Sequence, residues 1–114
     1  MTKYLALLLL FCFSPLVLAD KVEYLECSVE RMEDVDPYKH FLVRLMEVRM
    51  DFNRQRKESR FDSLDLLIFD TLQTIRSLGC YSDSLGNIRK LRDYFRQNPT
   101  GSKRIIELAT EMGA

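Results

Sequence analysis

Side chains able to do acid–base, nucleophilic or metal chemistry are sparse in this chain, and their spacing does not assemble a catalytic centre. There is one histidine, His40, and there are three cysteines, Cys12, Cys27 and Cys80. A general base or nucleophile relay needs a second group that fixes the imidazole. Nothing local supplies one, so a carboxylate from another helix would have to complete a relay at His40. Two cysteines and a distant histidine cannot fill a four-ligand zinc site without carboxylates. No glycine-rich phosphate cradle or other cofactor fingerprint is present. The expectation is a protein without enzymatic activity, cofactor or metal. The alternative is a small hydrolase or lipid-active protein that uses His40 with a carboxylate.

The cysteines carry a different chemistry. Residues 1–19 have the layout of a secretory signal peptide: Lys3, an apolar run containing Leu7–Leu10, the break Ser14-Pro15, and Val17-Leu18-Ala19 at the cleavage end. A spanning helix wants about 20 apolar residues, and the run is about half that. Cys12 lies inside the apolar run, where a lipoprotein cysteine would not. The mature chain is expected to start at Asp20 and to keep Cys27 and Cys80. In an oxidising compartment two thiols in a small domain form a disulfide. A loop of about 50 residues closed in this way contributes about 4 kcal/mol in the chain-entropy model. Asn98-Pro99-Thr100 is no glycosylation acceptor because of its proline, which favours a bacterial periplasm.

The third kind of chemistry is charge. After loss of Lys3, 17 acids face 16 bases, a net charge of −1, but the signs segregate along the chain. Residues 20–36 hold seven acids and two bases, and 37–60 hold seven bases and three acids. Residues 61–83 hold four acids and one base, and 84–104 hold six bases and one acid. Glu23, Glu26, Glu30 and Glu33 share one helical face, as do Arg89, Arg92 and Arg96. Such stripes serve as solvated faces, pair with each other, or dock a partner. Arg49 stands inside an apolar stripe. It needs a carboxylate, Asp65 or Asp70, if buried; otherwise it snorkels to an edge, or joins Phe52 and Arg56 in an exposed binding face.

The elements that must position these groups are helical throughout, because apolar residues recur at intervals of three and four and never alternate for long. A first helix is expected over 20–33, with Val22, Leu25, Val29 and Met32 as its seam. Cys27 would lie nearly opposite that seam, which leaves an intermolecular disulfide as an alternative. Asp36 as N-cap and Pro37 at the first turn begin a second helix to about Lys57, on Tyr38, Phe41, Leu45, Val48 and Phe52, widened by Leu42 and Met46. Asp62 or Ser63 caps a third, ended by Gly79, with Leu64, Leu67 or Ile68, Thr71, Ile75 and Leu78 on one side and Leu66 and Phe69 on the other. A fourth from Ser82 or Asp83 presents Leu85, Ile88, Leu91 and Phe95 and stops at Asn98-Pro99. The last, 102–112, offers Ile105, Ile106, Ala109 and Met112.

The sequence thus implies an all-α bundle of four to five short helices over 20–114, stapled by Cys27–Cys80. The functional expectation is a periplasmic protein that recognises another protein through a charged helical face, either as an immunity or inhibitor protein or as a chaperone or secretion accessory. Candidate contact residues are Arg89, Arg92, Arg96, Arg49, Phe52 and Arg56. Near-zero net charge argues against nucleic acid; anionic lipid headgroups and a homodimer are the other partners to weigh.

Overall fold

The computed structural model describes residues 27–114. The expected leader with Cys12, the expected mature start at Asp20, and residues 20–26 lie outside the described residues. Four α-helices follow: α1 (Val29–Arg54), α2 (Phe61–Leu78), α3 (Leu85–Gln97) and α4 (Lys103–Glu111). Short 3₁₀ turns at Glu58–Arg60 and Ser82–Ser84 precede α2 and α3. No strand occurs among the described residues. The chain is all-α, as its periodicity requires.

The expected break at Asp34–Pro37 does not occur. Ser28 caps α1, its Oγ accepting from the Arg31 amide at 3.3 Å, and the helix continues through Pro37. Proline in a helix interior removes an amide donor and crowds the carbonyl four residues back, a cost of about 3 kcal/mol. Continuity keeps Val35 and Leu42, seven residues apart, on one side, where both are buried. Two fully buried side chains of this size offset that cost, at about 1.5–3 kcal/mol each. A break at Asp34–Pro37 would turn one of them out of the core.

The buried line of α1 is Val35, Leu42, Leu45 and Arg49. Of the expected seam, Leu45 alone is buried; Tyr38 and Phe41 are 40% and 45% exposed, and Val48 and Phe52 are half-buried. Val29 is 73% exposed, so the seam drawn through it for the first helix does not form there. On α2 the buried residues are Phe61, Asp65, Ile68, Thr71, Leu72 and Ile75. Leu67 and Leu66 face solvent, whereas Phe69 is half-buried beneath Arg104 of α4 at 5.4 Å. The sequence overcounts apolar stripes because both helices carry one and a half faces of large hydrophobics, and tertiary packing selects only part.

α1 and α2 form an antiparallel pair. Cys27 and Cys80 close one end, with Sγ–Sγ 2.00 Å and Cα–Cα 5.0 Å. Arg49 meets Asp65 toward the other. The wheel position that set Cys27 against its own seam loses its force, because Cys27 precedes the N-cap and is not on the helix. Gly79 ends α2 at φ +74°, a left-handed value that glycine adopts without a Cβ penalty. It turns Cys80 back toward Cys27. α3 and α4 lie across the pair and supply Ile88, Leu91, Phe95, Ile105, Leu108 and Ala109 to a core shared with α1 and α2.

Candidate functional site

Arg49 is the most deeply buried charged group among the described residues, with no exposed surface. Its Nε donates to Asp65 Oδ1 at 2.8 Å and its Nη2 to Thr100 Oγ1 at 3.2 Å. The guanidinium carbon lies 3.4 Å from the centroid of the Phe61 ring, 5.2 Å from Phe95 and 5.9 Å from Tyr94. One side chain thus ties α1 to α2, α3 and the turn before α4. Burial pushes the Asp65 carboxyl above its ordinary range, while the hydrogen bond and charge of Arg49 pull it back. Asp70, the other carboxylate considered for Arg49, is exposed.

This geometry takes Arg49 out of the set of contact residues. Arg49, Phe52 and Arg56 do not form one exposed face. Arg49 is sealed, and Phe52 is half-buried with the cations of Lys57 and Arg60 at 5.7 and 6.0 Å from its ring. Arg56 lies beyond the end of α1 with φ +56°. Its left-handed backbone carries its side chain off the helix wheel, which is why helical spacing misplaced it.

The arginine stripe of α3 stays at the surface. Arg89 and Arg96 are exposed. The Arg92 side chain is 16% exposed and lies against Asp93, with Nε and Nη2 donating to Oδ1 at 3.1 and 2.9 Å. The ion pairs among the described residues join Lys39 to Asp36 and Asp83, Arg44 to Glu47, Arg49 to Asp65, Arg54 to Asp51, Arg76 to Glu111, and Arg92 to Asp93. None connects Glu30 or Glu33 with α3. Glu23 and Glu26 lie outside the described residues.

His40 is exposed on α1 and accepts no ion pair or hydrogen bond from the described residues. An open hollow lies between α2 and α4, against Asp62, Asp65, Phe69, Gly101 and Arg104. It does not contain His40. Among the described residues no three His, Cys, Asp or Glu side chains cluster in a manner suited to a metal ion, and no helix is long and apolar enough to cross a membrane. Comparison with protein-family models, characterised proteins and solved structures finds no match to this chain.

Sequence reasoning missed the aromatic box around Arg49. Phe61 was given no role, and Phe95 was counted only as an apolar residue of its helix. The available signal was the presence of an arginine within an apolar line, which demands a carboxylate and favours aromatic faces.

Proposed function

We propose that this protein is a non-enzymatic binding protein, acting in a bacterial periplasm, whose α3 surface recognises an acidic patch on another protein. The observation that carries the reading is the pair Arg89 and Arg96, seven residues apart on α3, both exposed and without an ion-pair partner among the described residues. Like charges repeated along one helix face disfavour the helix slightly. An acidic surface brought against them removes that cost and steers association. The Cys27–Cys80 pair at bonding distance supports an oxidising compartment. An immunity or inhibitor protein and a chaperone or secretion accessory both fit this description.

The test is capture from the envelope of the host, followed by a direct binding measurement with the captured protein. Replacing Arg89 and Arg96 by glutamate should abolish capture and leave the melting temperature within error, since exposed charges contribute about 0–1 kcal/mol. Binding by the wild-type chain should weaken as salt rises. Equal capture by wild type and variant would contradict the reading. Loss of fold in the variant would instead mean that the stripe pairs internally.

A further inference from the structure

The hairpin of α1 and α2 has a covered side and an open side. On α1, Lys39 marks the covered flank, since its Nζ reaches Asp83 before α3 at 3.9 Å. Phe41 and Val48 project about 160–180° from Lys39 around the helix, on the other flank of the buried line. On α2, Phe69 marks the covered flank beneath Arg104. Leu67 lies about 160° from Phe69. Both uncovered flanks therefore open on the side of the hairpin away from α3 and α4.

That side presents the exposed Phe41 and Leu67, with the half-buried Val48 and Leu64 beside them. Phe41 and Leu67 are among the most exposed large hydrophobics of the described residues, at 45% and 46%. Phe41 and Val48 stand seven residues, about 10 Å, apart along α1, and Leu45 between them turns into the core. Large hydrophobics left exposed on one flank in this way mark an interaction surface.

Charge identifies what covers it. The segment 37–60 is basic and the segment 61–83 acidic. Arg44 borders the strip on α1 and is exposed, held only by a 3.4 Å contact with Glu47 one turn on. Asp70 borders it on α2, is exposed, and has no ion pair among the described residues. The Arg49–Asp65 contact sets the register of the two helices. Arg44, five residues before Arg49, is therefore level with Asp70, five residues after Asp65. A twofold axis parallel to the helices preserves that level and lays α1 of one copy on α2 of the other. Each Arg44 then meets the Asp70 of the opposite copy, and the two apolar strips close on each other.

We infer that the open side of the α1–α2 hairpin is covered by a second copy of this chain, in an isologous four-helix interface with reciprocal Arg44–Asp70 ion pairs. A twofold perpendicular to the helices would lay α1 on α1 and α2 on α2, which leaves Arg44 and Asp70 on different helix pairs and unpaired. The interface is separate from Arg89 and Arg96, and it involves no cysteine.

Light scattering on the chain in the form its host produces, from about 1 μM to about 1 mM, tests the inference. The expected mass is that of a dimer that persists after reduction. Phe41→Lys or Leu67→Lys should give a monomer with unchanged helical circular dichroism. Arg44→Asp and Asp70→Arg should each weaken the dimer about tenfold or more, and the two together should restore most of the loss. A wild-type monomer throughout this range overturns the inference; if deletion of residues 20–26 then produces a dimer, that segment covers the strip. A dimer indifferent to Phe41→Lys and Leu67→Lys, or a charge swap without restoration, overturns it as well.

Discussion

Arg49 and Asp65 cost the fold more than an apolar pair of the same size would, and that cost can be measured. Removing two charges from water is expensive, and a single good hydrogen bond repays only part of it. Burial displaces the Asp65 carboxyl upward although the guanidinium lies 2.8 Å away. Between the ordinary value of 3.8 and the raised one, the folded state holds a proton that the unfolded state releases. For this group alone, stability falls as pH rises through that interval and is constant above it. Carboxyl NMR should place the Asp65 midpoint above 3.8, and Arg49→Met should raise it further by removing the opposing charge. In denaturant melts, Arg49→Met and Asp65→Leu should each cost about 3 kcal/mol, because one buried charge is left without its partner. The double variant should match or exceed the stability of wild type.

At the scale of elements, the continuity of α1 makes an opposite prediction from the expected break. If Pro37 began a helix, replacing it by alanine would be neutral or unfavourable, since proline suits the first turn. In the interior of α1 the same Pro37→Ala change should stabilise the protein by about 1–3 kcal/mol, read as a raised melting temperature. Arg56→Gly should likewise stabilise by about 1 kcal/mol, because Arg56 occupies a left-handed backbone at φ +56°. The helical character of the chain, the stop at Gly79 and the core face of α3 were legible because one clean amphipathic stripe and strong end signals agree there; on α4, Leu108 takes the buried place expected of Ile106, which is half-buried. The faces of α1 and α2 were not legible. Their regular stripes at Tyr38–Phe52 and Leu64–Leu78 compete with the line through Val35, Leu42 and Arg49, and periodicity alone cannot rank two lines on one helix. The demand of Arg49 for a carboxylate was legible from residue type, whereas its aromatic box depends on where α3 and the 98–102 turn return in space.

At the scale of the whole molecule, the Cys27–Cys80 link joins the start of α1 to the turn between α2 and α3. Reduction should lower the melting temperature by an amount corresponding to at most about 4 kcal/mol, without loss of the α1–α2 pair at the Arg49 end. The central claim remains that α3 presents a recognition surface, and a photo-crosslinking residue introduced into cells tests it most directly. Placed at Arg96, the probe should join this protein to one partner of defined mass, and the adduct should fade as salt rises. Placed at Gln73, exposed on α2, it should give no such adduct. No adduct at Arg96 or Arg89, or the same adduct from Gln73, would contradict recognition through α3.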